Sequence, residues 1–569
     1  MPGPVLVANR GEVAVRIVRA CRELGLRSIV VHSDVDAGSL PVRLADEAVR
    51  VGSYLDVDAV IAAARGAWAV HPGYGLLAED AGFARAVVDA GLVFVGPPAD
   101  VVAAMGDKVR ARALAGESGV PVLDGTDGPV DADLARAAAA ELGFPLLVKA
   151  AHGGGGRGMR IVAGPDDLDD AVAAAAREAA AAFGRGEVFL ERHVARARHV
   201  EVQVLADHHG AIAVLGDRDC TVQRRHQKLL EEAPAPDLPD AVRAELHEAS
   251  RRLATAVGYR GAGTVEFLVD RDTGAPALLE MNTRLQVEHG VTELVTGVDL
   301  VVAQLRLAAG EPLHDVIGTA EVRGHAIQAR VAAEDPAAGF VPSPGRVSDL
   351  RAPAGPWVRA DLGVEAGDAV PGAYDSLIGK VLAWGPDRAT AVTRLAGALD
   401  DLVVTGVPTT APYLRTVLDR PEYAAVAHDT GSVERDWAPT PSPSPAAPAA
   451  TASTTRSIRL ATDRGPLALR VPRHRGDAAV PPDAVVAPST GTPGAAAATG
   501  DPVAPMDATV VDVAVTAGDD VAAGAVLVVL EAMKMELPVR APHAARVDAV
   551  HVAPGDRVTA GTALLVIAE

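Results

Sequence analysis

Only five lysines, Lys108, Lys149, Lys228, Lys380 and Lys534, stand among the 53 lysine and arginine residues of this chain. Arginine cannot be acylated as an amine and presents a planar fork where lysine presents a compact point charge. A lysine retained in so arginine-rich a sequence therefore marks a place that wants a nucleophilic amine or an ammonium. Lys534 has the first setting. It lies in Glu531-Ala532-Met533-Lys534-Met535-Glu536, flanked by two of the seven methionines, where a tight turn would present its amine at the tip. Displayed by a small domain on a long tether, such an amine is an arm with a high effective concentration at any site the tether spans. Lys108 and Lys149 have the second setting. Lys149 shortly precedes His152-Gly153-Gly154-Gly155-Gly156-Arg157-Gly158, whose glycines let backbone N–H groups approach phosphate oxygens with no side chain in the way. With Lys108 in Met105-Gly106-Asp107-Lys108 it supplies the point charge that phosphates bind.

Two carboxylates give the most testable geometry. Gly263-Thr264-Val265-Glu266-Phe267 and Leu278-Leu279-Glu280-Met281-Asn282 flank the turn Asp272-Thr273-Gly274, and a hairpin centred on Thr273 sets Glu266 opposite Glu280. Like charges about 4 Å apart repel by roughly 4 kcal/mol at an effective dielectric of about 20. The pair therefore needs a bridging cation, and a hard one such as Mg²⁺ (or Mn²⁺), held by two carboxylates and a substrate's phosphates, meets the need. Just beyond comes Asn282-Thr283-Arg284-Leu285-Gln286-Val287-Glu288-His289, which sets a guanidinium for a planar oxyanion beside a carboxylate able to act as its base. Arg224-Arg225-His226-Gln227-Lys228 adds positive charge.

The elements that must position these groups are legible in outline. Val5–Asn9, Ser28–Ser33, Trp68–Val70 and Leu92–Gly96 are apolar strands, with a helix over Glu12–Leu24 after the first, so a doubly wound parallel sheet is expected at the N-terminus. A strand at Leu146–Ala150 leads into the glycine loop, strands are expected to dominate from Arg198 to about Gly274, and strand and helix mix from there to Trp437. Residues 438–500 are rich in proline and alanine and read as a linker, interrupted by a possible hairpin at 457–471 around Asp463-Arg464-Gly465. The last segment repeats itself at an offset of 37: Val510, Gly518, Asp519, Val521, Gly524 and Leu527 match Val547, Gly555, Asp556, Val558, Gly561 and Leu564. Two such units, each too small to bury its own apolar face, predict a pseudo-symmetric β-sandwich. At 569 residues with 49% apolar content and a net charge of −21, the chain has room for several cores, and a nucleic-acid or anionic-membrane partner is disfavoured. Two cysteines, Cys21 and Cys220, make no disulfide framework, and neither a leader nor a membrane-spanning run is legible, so a cytoplasmic setting is expected.

Over residues 1–437 the sequence resembles biotin carboxylase, an ATP-grasp enzyme. The resemblance rests on Ala8-Asn9-Arg10-Gly11-Glu12, His71-Pro72-Gly73-Tyr74-Gly75, Met105 to Lys108, the glycine loop, Arg218-Asp219-Cys220 with Gln223 to Lys228, Glu280 to His289, and Tyr374 to Lys380. Ala532-Met533-Lys534-Met535 resembles the biotin-attachment tetrapeptide of carrier domains, so the whole chain is similar to the alpha subunit of a biotin-dependent acyl-CoA carboxylase. The resemblance implies a Rossmann-like domain at 1–107, an ATP-grasp domain at 108–325 with a mobile lid at about 120–195, a third domain at 326–437, the linker at 438–500 and an all-β biotinyl domain (a barrel-sandwich) at 501–569. It also implies roles. Lys108, Lys149, His199 and Lys228 would contact ATP, Gly153, Gly154, Gly155 and Gly156 would lie in the lid, and the backbone of Glu191 and Val194 with Gln223 and His226 would line the nucleotide pocket. Glu266 and Glu280 would bind the metal with Asn282 close by. Arg284, Gln286 and the backbone of Val287 would hold bicarbonate with Glu288 as base, Arg330 would stabilise the biotin enolate, and Lys534 would carry biotin. No role for Lys380 follows from the sequence, and a structural one is expected over a catalytic one.

The implied reaction makes carboxyphosphate from bicarbonate and ATP and then carboxylates the biotin. Residues 438–500 are too short for a carboxyltransferase, so a separate beta subunit, a biotin protein ligase and a homodimer through the biotin carboxylase region within a larger assembly are expected. Acetyl-CoA or propionyl-CoA is the expected acceptor, with a methylcrotonyl-type enzyme as the alternative. An ATP-grasp ligase joining an acid to an amine would leave the Lys534 arm idle, and a passive lipoyl-type carrier would leave residues 1–437 idle. His152, Gly290, Ala332 and Ala508 depart from the family's usual residues.

Overall fold

A computed structural model describes residues 3–151, 159–439, 455–462, 465–472, 501–505, 508–532, 535–559 and 561–568. The chain divides into two compact units, residues 1–439 and 440–569.

The first unit opens with five parallel strands in the order 47–50, 28–32, 5–7, 69–71, 93–94, a doubly wound sheet whose central strand Val5–Val7 is wholly buried. The 47–50 edge strand was not expected from the sequence. Helix Gly11–Glu23 covers the sheet with Val13, Ala14, Ile17, Val18 and Cys21, the three-to-four-residue spacing of one buried face. Asn9 Nδ2 donates to the carbonyls of Pro72 at 2.6 Å and Tyr74 at 2.8 Å, joining the two N-terminal motifs. Gly73 makes this approach possible: its φ is +64°, and a Cβ there would lie 2.8 Å from Asn9 Nδ2.

Eight antiparallel strands follow in one sheet, in the order 276–282, 261–270, 197–206, 212–224, 227–233, 325–332, 377–385, 358–362. The sheet runs without a break across the expected boundary at 325/326. On one face Val200, Val202, Val204, Val265 and Phe267 pack against Leu246, Ala249 and Leu253. Those last three lie on helix Asp240–Ala256, the one helix set among the strands that, as expected, dominate from Arg198 to about Gly274. The helix is flanked by charge on its exposed side, so its apolar stripe stands out less in the sequence than the neighbouring valine-rich strands.

A smaller antiparallel sheet, 159–162, 146–150, 188–192, carries helices Ala132–Leu142 and Leu168–Phe183. The glycine loop, Gly153 to Gly156, and His152 lie outside the described residues. Among the described residues no helix is long and apolar enough to cross a membrane.

In the second unit, strands 455–462 and 465–472 pair along their full length from Thr455 opposite Pro472 to Thr462 opposite Gly465. The rest of the linker lies outside the described residues. The C-terminal segment is two facing sheets, 535–540/526–532/508–513/557–558 and 520–521/545–550/565–568. The 37-residue repeat is visible in the topology: the short middle strand of each copy, 520–521 or 557–558, joins the sheet built by the other copy. Val510 and Val547, equivalent in the two copies, share one core with Leu527 and Leu564. Ala508 opens its strand opposite Val558. Ala532 pairs with Met535, and the two residues between them, Met533 and Lys534, lie outside the described residues.

Candidate active site

Strand 197–206 alternates Val200, Val202 and Val204 on the helix-covered face with His199, Glu201 and Gln203 on the other, all of them buried. From that second face a row of charge crosses four neighbouring strands. Glu280 stands opposite Glu266, Glu266 opposite Glu201, and Glu201 opposite Arg218. The expected hairpin register therefore holds at the two glutamates, and a bulge after Glu266 shifts the pairing beyond them. Three carboxylates in line would repel one another. Arg218, wholly buried, meets Glu201 at 2.5 Å and also donates to Gln203, Thr264 and Thr292. Lys228 Nζ lies 2.5 Å from Glu201, 2.8 Å from Glu266 and 2.7 Å from Glu288. His199 Nε2 is 3.1 Å from the second oxygen of Glu266.

Burial would push the Glu288 carboxyl up, but Lys228, Arg330 and Arg218 outweigh it and hold the group well below the usual carboxylate range. Glu266 is lowered in the same way, against its burial, by Lys228 and His199. Burial would lower Lys228, and the surrounding acidic groups reverse this and raise it well above its ordinary value.

Arg330, on strand 325–332, donates through Nη2 to Glu288 at 2.9 Å and through Nε to Glu231. Glu231 also accepts from Gln328 at 3.0 Å, and the Thr410 hydroxyl donates to the Arg330 carbonyl. The Arg284 guanidinium bonds Glu79 of the first domain at 2.9 Å, Gln286 at 2.9 Å and Asn282 at 3.2 Å, while Gln286 Nε2 reaches Glu266 at 3.0 Å. Asn282 Nδ2 donates to Glu280 at 3.0 Å. Two carboxylates and an amide oxygen are the hard donors a divalent cation with phosphate ligands prefers, so the Glu266, Glu280 and Asn282 set fits magnesium. The two mixed clusters among the described residues, His199–Glu201–Glu266 and Glu201–Cys220–Glu288, surround the Lys228 ammonium.

The expected nucleotide residues lie nearby. Lys149 Nζ bonds Glu191 at 2.8 Å, and Arg112 holds the other Glu191 oxygen at 2.9 Å. Burial and the neighbouring Lys149 lower Lys108, although Glu280 and Glu191 oppose them. Gln223 donates to the Cys220 carbonyl at 3.0 Å and faces His199 Nδ1 at 3.3 Å. Arg225 and His226 form a two-residue turn with φ of +47° and +63°, a left-handed conformation that costs a non-glycine residue of order 1–2 kcal/mol. Val194 lies in the loop after strand 188–192. Val287 accepts at its carbonyl from Lys380. Gly153, Gly154, Gly155, Gly156 and Lys534 fall outside the described residues.

Family models match almost all of the described chain. They are "Biotin carboxylase, N-terminal domain" over residues 1–102, "Carbamoyl-phosphate synthase L chain, ATP binding domain" over 107–316, "Biotin carboxylase C-terminal domain" over 328–435 and "Biotin-requiring enzyme" over 500–567. The biotin-dependent acyl-coenzyme A carboxylase alpha3 subunit of Mycobacterium leprae is 44% identical over 98% of both chains. The chain belongs to the biotin-dependent acyl-CoA carboxylase alpha subunits. The biotin carboxylase of Nostoc is 48% identical, covering 74% of this chain and 96% of its own. Among solved structures, a biotin carboxylase–β,γ-ATP complex from Campylobacter jejuni aligns at 40% identity with a TM-score of 0.73, over 76% of this chain and 98% of that one. The biotin carboxylase domain dimer of Hydrogenobacter thermophilus 2-oxoglutarate carboxylase, with MgADP and bicarbonate, aligns at 40% identity with a TM-score of 0.74, over 76% and 97%.

Sequence reasoning missed three side chains of this alpha subunit's network, Glu201, Glu231 and Glu79, and gave Arg218, although part of a quoted motif, no role. The signal for Glu201 was present, since polar residues at 199, 201 and 203 alternate with valines and so share one face of a strand. The partners of the other three depend on which strands are neighbours. At Gly290 the Leu382 side chain fills the space, with its Cδ2 2.6 Å from where a Cβ would be.

Proposed function

We propose that this chain spends ATP to carboxylate biotin carried on its own Lys534 and passes the carboxyl group to a carboxyltransferase (beta) subunit that transfers it to an acyl-CoA. One observation carries the reading: Glu288 is wholly buried and held between the two cations Lys228 and Arg330, at 2.7 and 2.9 Å, beside the row of acidic residues fit for a metal.

In this reading Arg284 and Gln286 exchange contacts among themselves and Glu79 for bicarbonate, with the Val287 backbone beside it. Glu288 takes the bicarbonate proton, so that a more nucleophilic oxygen meets the γ-phosphate. Lys108, Lys149 and Lys228 balance the charge that develops on the phosphates, a task for preorganised cations. The magnesium ion that Glu266, Glu280 and Asn282 would hold supplies further neutralisation of the triphosphate. The carboxyphosphate so formed is a mixed anhydride that must be kept from water, the task assigned to the lid. With ADP left from the first step, carboxyphosphate would break down to CO₂ and phosphate, the phosphate would take the ureido proton of biotin, and the ureido nitrogen would bond to the CO₂. Arg330 balances negative charge at the carboxyl acceptor.

The relative alike over its whole length is named an acyl-coenzyme A carboxylase subunit, which supports an acyl-CoA acceptor, and acetyl-CoA or propionyl-CoA is the one favoured here. The methylcrotonoyl-CoA carboxylase alpha subunit of Arabidopsis thaliana, 46% identical, supports the second reading, although this chain covers only 60% of it. Biotin protein ligase would attach the biotin, Lys108 to Lys228 would serve ATP as above, and both cysteines, free and buried, suit a reducing cytoplasm.

The test uses the full biotinylated chain. Streptavidin should detect it and lose the signal with Lys534→Arg, while both forms should hydrolyse ATP in response to bicarbonate when free biotin is supplied. A streptavidin signal surviving in Lys534→Arg removes the arm, and hydrolysis that ignores bicarbonate favours an acid–amine ligase.

A further inference from the structure

Lys380 is the retained lysine that the reaction above does not use. Its side chain is wholly buried. Its ammonium donates to the Val287 carbonyl at 2.6 Å and lies 3.2 Å from Glu12 Oε1. Tyr74 donates its hydroxyl to the same Glu12 oxygen. Three parts of the first unit meet at this one nitrogen: Glu12 and Tyr74 belong to the parallel-sheet domain, Val287 to the loop that follows strand 276–282, and Lys380 to strand 377–385.

The position is an expensive one for a cation. Lys380 stands directly opposite Arg330 on one neighbouring strand and Asp361 on the other. A like charge in cross-strand register is destabilising, and burying an ion costs several kcal/mol that an apolar residue would avoid. Arginine has replaced lysine almost everywhere else in the chain, yet not here. A flexible stem ending in a compact ammonium reaches a single carbonyl oxygen, where a planar fork would need space for its second arm. Val287 immediately precedes Glu288, so whatever fixes the Val287 carbonyl also fixes the peptide plane from which the Glu288 side chain departs.

We propose that Lys380 is a positioning residue of the bicarbonate site: it clamps the Val287 carbonyl to Glu12 and so sets the aim of Glu288 and of the Val287 backbone toward bicarbonate. The inference rests on Glu288 being the base, and it adds that the geometry of that base is completed by the parallel-sheet domain through Glu12. Lys380 does not touch substrate, and its effect passes through the Val287–Glu288 peptide.

The experiment takes the full chain with free biotin and measures the Michaelis constants for bicarbonate and ATP separately, alongside thermal stabilisation by ADP and magnesium. Lys380→Met keeps the stem and removes the ammonium. Its bicarbonate constant is expected to rise about tenfold or more, with the ATP constant within about twofold, a split that a general loss of packing does not give. Glu12→Gln keeps the shape and weakens the clamp, and should raise the bicarbonate constant by about threefold, with ATP unmoved. An unchanged bicarbonate constant in Lys380→Met, or bicarbonate and ATP constants that rise together, overturns the proposal. If Lys380→Met gives no ADP stabilisation and has not folded, Glu12→Gln decides: a rise confined to bicarbonate supports the clamp, and none overturns it. Failure of the underlying reading looks different, because the unsubstituted chain would then hydrolyse ATP without responding to bicarbonate.

Discussion

Glu288 is an ionised carboxylate gripped by two cations, which makes it available to accept a proton and a weak base while both remain bonded. Drawing Lys228 toward a phosphate would loosen one grip and strengthen the base when the nucleotide is in place. We predict the consequence for Lys228→Met. With that cation gone, burial raises the Glu288 pKa, and because the reaction needs the ionised form, activity falls as pH drops through the raised value. The unsubstituted chain should show no acid limb from Glu288 above the ordinary carboxylate value of about 4.3, whereas the variant's limb should move to higher pH than the parent's, with Arg330 and Arg218 still opposing burial. The pH profile of bicarbonate-dependent ATP hydrolysis measures this, and an unmoved limb argues against the pairing. The variant should also lose on the order of 10²-fold in turnover, since a phosphate contact goes too. Legibility at this scale followed distance along the chain. Glu266 and Glu280 share a hairpin, so their pairing could be read by counting from Thr273. Glu201 and Arg218 meet them only through the neighbouring strand pairs, which no local spacing encodes.

Strand 227–233 serves both the site and the frame. Lys228 and Glu231 enter the charge network, while Glu232 accepts from His325 at 2.7 Å on strand 325–332 and from Arg388 at 2.6 Å on helix Arg388–Asp401. Burial would raise Glu232, but His325 and Arg388 bring it down to about 2. Its folded pKa lies below the unfolded one, so the folded state binds fewer protons. The stability this gives is present above about pH 4.3 and is lost as pH falls toward about 2. We predict that Glu232→Ala, which leaves Arg388 without its buried partner, destabilises the first unit by about 3–5 kcal/mol. Urea unfolding at pH 7 should show the loss, and the gap between variant and parent should narrow on acidification; a gap that widens would contradict the linkage. The four inner and far-edge parallel strands and the Leu146–Ala150 strand were legible because each is a short apolar run bounded by turn residues, whereas the 47–50 edge strand, Glu47-Ala48-Val49-Arg50, is not. Helix Asp240–Ala256 was not legible either, since its buried residues are few and set among arginines and glutamates.

At the scale of the molecule the internal repeat was the clearest signal, because two copies that exchange their middle strands must preserve the same valines, glycines and aspartates in each. The surface of the first unit holds a feature that the sequence did not announce. Trp357 is 58% exposed, with its ring 4.7 Å from Trp384 and its backbone at a φ of +66°. A large aromatic left in water loses the stabilisation of burial, and a bulky residue at positive φ is strained. Both costs are removed or justified if the ring is an anchor in an interface, where a tryptophan buries about 150–250 Å². The expected partner is a second copy through the biotin carboxylase region. In a two-fold contact each substitution removes two anchors, because the same patch serves both sides. Trp357→Glu should therefore shift the chain from dimer to monomer in sedimentation velocity at micromolar concentration. Its thermal midpoint, compared at a concentration where both forms are monomeric, should stay within the small change typical of surface substitutions, about 0.5 kcal/mol. A variant that remains dimeric would place the interface elsewhere on this unit, and one that unfolds would make Trp357 part of the frame instead.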